Sequence, residues 1–539
     1  MTTKETDNKP FPVPMGVLSV WQRSTRDDPL VNMGKNDDLP EEADVVIIGS
    51  GLCGAVTALS LLTAENRPKS VVMLEAREAC SGASGRNAGH CRPDAYRGYT
   101  AFSRKHSEQD AMEILESERT VYELVDAFVK KHNIDCEWTP RPTYDVCLSE
   151  EFKAYSNIAY HNVLKRGGAK EVAVHMEEAS SATRVDDAIK AFEWPAATLN
   201  PAKLCYAVHH LCLEKGGYSI FTHTPVLSVT ASTDGEASWI VNTARGSIKS
   251  SKVVHATNAY ASAILPEMQG LITPTKAQAL KLSIPPVGLE TFPRLDASYS
   301  LRYLPEHFYS VAQRPDNSIV LGTSRGWTGM PKVLHESLIN NVDDSAPVDE
   351  ITVNAFSTFS KLFPQAGYNP SDMKPGQIPD KDISTDSSKP EYEGFEYAWS
   401  GIIGVAKLAS SLEQDSTATV CLKVQSRCLH NIVPMLLLLL LATTFIINTG
   451  MARIFLCAPS LARIVMGERY EETKLPGAFA ITEERLEKLK DMSTQAPTIA
   501  PRVEKSIDIT LNELQEPLAE IRMSSLTAEP KQQRVAATA

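Results

Sequence analysis

The chain holds ten cysteines in 539 residues, yet no Cys-x-x-Cys pair and no regular cysteine framework. That excludes a disulfide-scaffolded design and predicts reduced thiols. There is no His-Glu-x-x-His run, and the twelve histidines, His209-His210 included, show no Cys/His spacing of a metal site, so no metal is expected. Positive charge is in deficit, 54 Lys+Arg against 66 Asp+Glu, which argues against a nucleic-acid partner. Internal repeats are absent. The opening MTTKETDNKPFPVPMGV lacks the basic-then-apolar layout of a signal peptide, and the closing RVAATA carries neither a prenylation box nor a peroxisomal tripeptide. The expected address is cytoplasmic. What remains is an ordinary globular composition, 43% apolar and 22% charged, in a length that suits two or three domains.

Against that background one segment carries most of the information. The apolar run Val45-Val46-Ile47-Ile48 leads into Gly49-Ser50-Gly51-Leu52-Cys53-Gly54 and then an apolar helical stretch. A second apolar run, Val71 to Leu74, ends on Glu75, twenty-one residues after Gly54. This is a dinucleotide fingerprint in strand–helix–strand context. Gly49 permits the tight turn, Gly51 lets a pyrophosphate approach, and Gly54 lets the helix pack close to the strand. Ser50 and Cys53 belong to the same loop. The helix N-terminus offers free N–H groups to phosphate, and Glu75 is placed to accept from a ribose hydroxyl.

Pro10, Pro12, Pro14 and Pro40 mark residues 1–40 as an extended lead. Helical periodicity covers Ser107 to Asn133 and Ala202 to Leu213, broken by Gly216-Gly217. Strands are expected at Tyr218–Phe221, Thr224–Thr230, Ser238–Thr243 and Ser251–Ala256, with Asp234-Gly235 as a hairpin signal. Sheet-like alternation returns from Tyr303 to Gly322 around the turn Arg314-Pro-Asp-Asn317. Beyond Gly477 a charged helix candidate, Thr482–Met492, precedes a mixed polar tail of low order.

Directly after Glu75 comes Ala76-Arg77-Glu78-Ala79-Cys80, then Ser81-Gly82-Ala83-Ser84-Gly85-Arg86-Asn87-Ala88-Gly89-His90. An NAD site has no need of it. Small residues let backbone lie against a flat or phosphorylated ligand, the serines add hydroxyls, and Arg77 and Arg86 could neutralise a pyrophosphate or pair with Glu75. The bland reading is a flexible surface loop. With these motifs, Asn200-Pro-Ala-Lys203, Val253–Ala261, Gln313–Gly322 and Tyr397–Gly404 in this order, the chain resembles the D-amino-acid-oxidase/sarcosine-oxidase superfamily of FAD-dependent oxidoreductases. It looks most similar to a fungal branch related to γ-glutamylputrescine oxidase. The likeness spans roughly residues 11–405 and resumes over 450–475, from Gly450-Met-Ala-Arg453.

The resemblance implies an α/β fold: a Rossmann-like FAD-binding domain with an inserted α+β substrate domain built on an antiparallel sheet. The FAD-binding parts would be 41–105, 196–275 and 391–475, the substrate parts 106–195 and 276–390, followed by a C-terminal helix and tail over 476–539. Gly49, Ser50, Gly51, Cys53 and Gly54 would hold the diphosphate and Glu75 the adenosine ribose. Ala76, Arg77, Ser81, Gly82, Ser84, Arg86, Asn87 and Gly89 would line the path to the flavin ring. Val226, after Pro225, would meet the adenine through its backbone, and Ala256, Thr257 and Asn258 would lie beside the cofactor. His90 falls where relatives place a residue near the isoalloxazine, sometimes as a covalent link. Proximity without a bond is the expectation for this catalytic candidate, and an ordinary packed histidine is the alternative. The family reaction moves a hydride from a carbon bearing an amine, or less often a hydroxyl, to the flavin, and dioxygen usually reoxidises it with release of peroxide. A neutral amine needs no strong base, which suits a sequence without a triad. The implied partner is a small-molecule substrate. Lys276 and Arg302 or Tyr303 are candidate anchors, each better suited to a surface or structural role. Oxidation of a C–OH carbon in a sugar-derived or secondary metabolite is the second reading.

Residues 406–449 depart from this pattern. The family would close over the flavin there with a PLVG-like turn and a GHGM helix start, and only Gly450-Met451 survives at the border. The expected explanation is an error in the gene model, a frame shift or retained intron. Three others compete: a membrane span over Ile432–Ile447, shorter than the usual ~20 residues and broken by Pro434; a buried core helix, though six consecutive leucines have no amphipathic face; or an inactive relative that lost its flavin-closing loop. Sequencing the transcript is expected to return a different segment here, and a spliced message encoding these residues overturns that expectation.

Overall fold

The computed structural model describes residues 10–233, 238–370, 373–375, 394–406 and 423–425. The hairpin signal at 234–235, most of 406–449, the border residues 450–453 and the C-terminal helix candidate lie outside them. Two sheets organise the described residues. In the first, Tyr218–Phe221, Val71–Leu74, Glu42–Ile48 and Gly246–His255 run parallel in that spatial order. An antiparallel meander of Trp239–Thr243 and Val226–Ala231 extends it. The three-residue strand Lys423–Gln425, inside the anomalous segment, pairs antiparallel with Val253–His255.

The parallel strands read as continuous apolar runs because both faces are covered. Val45, Ile47, Val71 and Met73 are buried in one core cluster, while Val46, Ile48, Val72 and Leu74 are buried in another. Helix Leu52–Thr63 follows the glycine turn and packs against helix Pro201–Lys215. Asn200 caps the latter by accepting from the Lys203 N–H, with Pro201 in its first turn. The stretch from Ser107 forms helix Glu108–Lys131 with Ser107 as its cap.

The second sheet runs in the order Phe395–Ala406, Ile272–Leu282, Ile319–Gly322, Phe308–Gln313, Ser298–Arg302, Thr139–Cys147, Lys190–Thr198, His90–Cys91. It departs from the all-antiparallel expectation at one place: Ser298–Arg302 runs parallel to Thr139–Cys147. Two expected boundaries also shift. Phe395–Ala406 pairs along its length with Ile272–Leu282, so the sheet claims residues assigned by sequence to the cofactor domain on both sides. Residues 10–40 are more than an extended lead. Ser19 caps a short helix, Val20–Arg23, Pro29–Asn32 forms a second turn, and Leu18, Val20, Trp21, Leu30 and Val31 are buried. The seven described cysteines are all buried. Among the described residues no helix is long and apolar enough to cross a membrane; Ile432–Ile447 lies outside them.

One face of the second sheet is polar. Register places Asp145, Ser300 and Ser310 side by side on adjacent strands. The Asp145 carboxylate accepts from Arg97 at 2.7 Å, Arg302 at 3.2 Å and the Tyr96 hydroxyl at 3.1 Å, with Arg92 3.5 Å away. Burial opposes its ionisation, yet Arg97, Arg302 and Arg92 hold the carboxyl below the usual carboxylate range. Removing that charge leaves three buried guanidinium groups facing one another. Asp145→Asn is expected to cost roughly 3–5 kcal/mol, read as a lowered urea midpoint; an unchanged midpoint removes Asp145 from this role.

Candidate active site

The glycine turn begins where Ile48 leaves its strand, with Gly49 N–H donating to the Leu74 carbonyl at 2.8 Å. A β-carbon on Gly54 would stand 2.0 Å from the Gly49 carbonyl oxygen, so only glycine brings the helix this close to the turn. Gly51 precedes the helix without a side-chain cap, and the Leu52 N–H donates instead to Ser84 Oγ at 2.9 Å. The second glycine-rich stretch thus lies over the helix N-terminus. A β-carbon at Gly82 would meet nothing within 4 Å.

Glu75 is fixed from three directions. Its carboxylate accepts from Ser50 N–H at 3.0 Å, Ser50 Oγ at 2.6 Å and Arg77 N–H at 3.0 Å. Behind it, the Ser50 carbonyl accepts from His209 Nε2 at 2.9 Å, while His209 Nδ1 meets the Tyr218 hydroxyl at 2.8 Å. Burial pushes the His209 imidazole down to about 4, so Nε2–H donates and Nδ1 accepts. Sequence reasoning noted His209 only as half of a histidine pair. Its spacing on the helix gave no sign of this partner 159 residues away.

These groups border a cleft lined by Gly49, Gly51, Cys53, Glu75, Ala76, Arg77, Gly82, Ser84, Val226, Ala256, Thr257 and Asn258 among others. All twelve were singled out from sequence. Of the remaining expected cofactor residues, Ser50, Gly54, Ser81, Arg86, Asn87 and Gly89 stand behind that wall. The cleft also takes Phe11, Pro12, Thr224, Pro225, Tyr260, Ile264 and Ile402, which were not anticipated. The buried Thr257 Oγ1, Asn258 Oδ1 and Tyr260 Oη, together with Ser81 Oγ, have no hydrogen-bond partner among the described residues. A glycine-lined cradle, a helix N-terminus, an oriented carboxylate and unpaired hydroxyls form a donor set that fits a dinucleotide.

The two arginines behave differently from expectation. Neither guanidinium pairs with Glu75. Arg77 forms a two-pronged pair with Asp344, at 2.8 and 3.1 Å. Arg86 Nε lies 3.4 Å from the same carboxylate, and its Nη1 donates to the carbonyls of Val17 and Ser400. Asp344 is 1% exposed and outcompetes Glu75, whose oxygens already hold three donors. Asn87 turns inward, donating to the Ala83 and Ser84 carbonyls and accepting from Gly89 N–H.

From Arg86 to His90 the chain crosses from the cleft to the second sheet. Gly401 packs on Arg86, and a β-carbon at Gly322 would lie 3.2 Å from Ala88. His90 pairs with Thr198, which pairs with Thr139, placing His90 and Arg141 on one face. The His90 ring is 1% exposed, and neither nitrogen has a partner. Burial first, then Arg92 and Arg141, push it down to about 3, so the ring is neutral at physiological pH. Arg141 has an unpartnered Nε and no ion pair among the described residues; burial and then Arg294 lower it to about 10. The anchors proposed from sequence are otherwise engaged. Arg302 is held by Asp145 and the Pro305 carbonyl. Tyr303 stacks on His307 with centroids 4.6 Å apart. Lys276 is buried, and its ammonium is pushed down by that burial.

Compared with known proteins, residues 44–398 match the family described as FAD dependent oxidoreductase (DAO). A probable oxidoreductase OrdL of Haemophilus influenzae is 25% identical over 228 residues, 41% of this chain and 50% of that protein. The chain thus spans about half the length of that curated relative. Among solved structures, glycine oxidase from Geobacillus kaustophilus is similar at TM-score 0.53 and 17% identity, over 82% of this chain and 99% of that one. L-α-glycerophosphate oxidase from Mycoplasma pneumoniae, with FAD bound, is similar at TM-score 0.50 and 12% identity, over 79% and 95%. At these identities the likeness concerns the fold.

The depressed His209 has a consequence for acid stability. Its unfolded form titrates near 6.5 and its folded form near 4, so the unfolded chain binds the extra proton between them. Stability from this group is present above pH 6.5 and is lost as pH falls toward 4. His209→Gln, which keeps one donor and one acceptor, is expected to show a smaller drop in urea midpoint between pH 7 and pH 5 than the parent. An identical drop contradicts the assignment.

Proposed function

The chain belongs to the FAD dependent oxidoreductase (DAO) family, and on that premise we propose that it oxidises a small amine or amino acid at the C–N carbon, passing electrons on to dioxygen. FAD, when bound, supplies the hydride acceptor. Gly49, Gly51 and the Leu52–Thr63 N-terminus would hold its diphosphate and Glu75 its ribose, with Val226 and Ala256–Asn258 along the same cleft. Arg77 would line the same cleft, and Ser50, Gly54, Ser81, Arg86, Asn87 and Gly89 would shape that wall from behind. His90 would stand beside the reacting carbon as a neutral, desolvated imidazole. It cannot present positive charge there, so it suits an amine that arrives neutral.

The observation that carries the substrate reading is the surplus of buried cation. Arg141 lies on the His90 face with an unused Nε and no ion pair among the described residues, its Nη1 donating to the Gln313 carbonyl at 3.2 Å, and Arg92 Nη1 likewise has no partner among them. Buried charges are normally paired, so the face suits a substrate bearing a carboxylate. Oxidation of a C–OH carbon in an anionic metabolite is the second reading; a glycerophosphate oxidase of the same fold supports it. A third, an inactive relative, applies if residues 406–449 are native.

The purified chain is expected to be yellow and to release peroxide with carboxylated amines rather than alcohols. Arg141→Met should raise KM for them by roughly 10- to 100-fold, the scale of a lost charge-assisted hydrogen bond, with kcat less affected. Peroxide from alcohols alone overturns the C–N reading, equal KM values overturn the role of Arg141, and a chain that binds FAD but oxidises neither class favours the inactive one.

A further inference from the structure

The family match begins at residue 44, yet the cleft does not. Phe11 and Pro12 form part of its wall. The segment that delivers them is tied to Arg77, to the second glycine-rich stretch and to the Asp344 loop. The Val13 carbonyl accepts from Arg77 Nη1 at 3.2 Å, two residues beyond Glu75. The Val17 carbonyl accepts from Arg86 Nη1 at 3.1 Å, and Val17 N–H donates to the Ser345 carbonyl at 2.9 Å. At Gly16 the chain passes so close to Ser345 that a β-carbon would stand 1.9 Å from its carbonyl oxygen. Ser19 Oγ donates to the Gly85 carbonyl, and Trp21 Nε1 to that of Asn87 at 2.6 Å. Beside it, Gly89 has φ +74, and a β-carbon there would lie 2.6 Å from the Trp21 ring.

Apart from the two to Ser345, each tie involves a residue of the proposed cofactor path or its immediate neighbour. The half-buried Phe11 and Pro12 are therefore held at the Glu75–Arg77 end of the cleft rather than resting on it by chance. We propose that residues 11–21 are a strap that completes the FAD site from outside the family domain, with Phe11 and Pro12 contacting the adenosine end of the bound cofactor and slowing its release. The proposal rests on the FAD reading above. It assigns to this chain two cofactor contacts that the fingerprint does not contain.

The test uses the full chain reconstituted with FAD, followed by flavin fluorescence after dilution. Phe11→Ala is expected to release FAD faster by roughly tenfold, the scale of losing one large apolar contact, while Phe11→Leu restores most of the retention. The melting temperature of the FAD-free chain should stay unchanged, because Phe11 is argued to touch the cofactor and not the core. A second measurement needs no variant: amide exchange over residues 11–21 should slow on adding FAD. Release from Phe11→Ala at the parent rate, or exchange there indifferent to FAD, overturns the strap while leaving the FAD reading intact. A parent chain that takes up no FAD overturns both.

Discussion

Asp344 holds the site together. It is a buried carboxylate in no secondary-structure element, and two guanidinium groups converge on it, one from each end of the stretch that carries the cofactor path. Arg77 leaves the nucleotide sheet and Arg86 approaches the second sheet, so their common anion fixes the distance between the two. The remaining donors of the same arginines reach Val13, Val17, Ser81 and Ser400. A buried charge pair gains little net stability over an apolar equivalent, but it is geometrically exacting. Its value here is register: Ser81–His90 cannot slide without separating both ion pairs.

A second electrostatic arrangement governs the far end of that path. Asp145 satisfies Arg97 and Arg302 and lies near Arg92, but Arg141 is left over. Burial and then Asp94 push the Glu118 carboxyl above its usual range, which weakens it as a counter-charge for these arginines. The same burial that keeps His90 neutral makes an unpaired guanidinium costly. On the proposed reading, that face would meet the charge of the substrate, while the nucleotide cleft offers neutral donors and an Arg77 already paired with Asp344.

The parts legible in the sequence were those built from local, repeating constraints. The glycine turn, Glu75 and the capped helices from Ser107 and Asn200 announce themselves because neighbours within a few residues dictate them. Tyr218–Phe221 was found to the residue for the same reason. Lining residues such as Val226 and Ala256–Asn258 followed from motif order. What escaped depends on contacts across long separations. Arg77 has a nearer acid in sequence, Glu75, and loses it to Asp344, 267 residues away. Residues 10–33 lack periodicity because their apolar side chains fill gaps in other elements rather than forming a face of their own. Arg302 looked like a free anchor because Asp145 lies on a strand that precedes it by 157 residues.

The geography of the cleft bears on the anomalous segment. Among the described residues, its wall comes from residues 11–264 and from Ile402, all before residue 406. Within 406–449 only residues 423–425 are described beyond the end of the strand Phe395–Ala406, and they pair with Val253–His255 at the edge of the first sheet, immediately before Ala256–Asn258. On the proposed reading, the described residues that would hold the adenosine and diphosphate all precede residue 406. Closing over a flavin ring requires side chains and a helix start, which the backbone pairing of 423–425 cannot supply. A change confined to this segment would then act on the two functions unequally, bearing more on the ring where electrons are received than on the glycine turn, Glu75 and the strap.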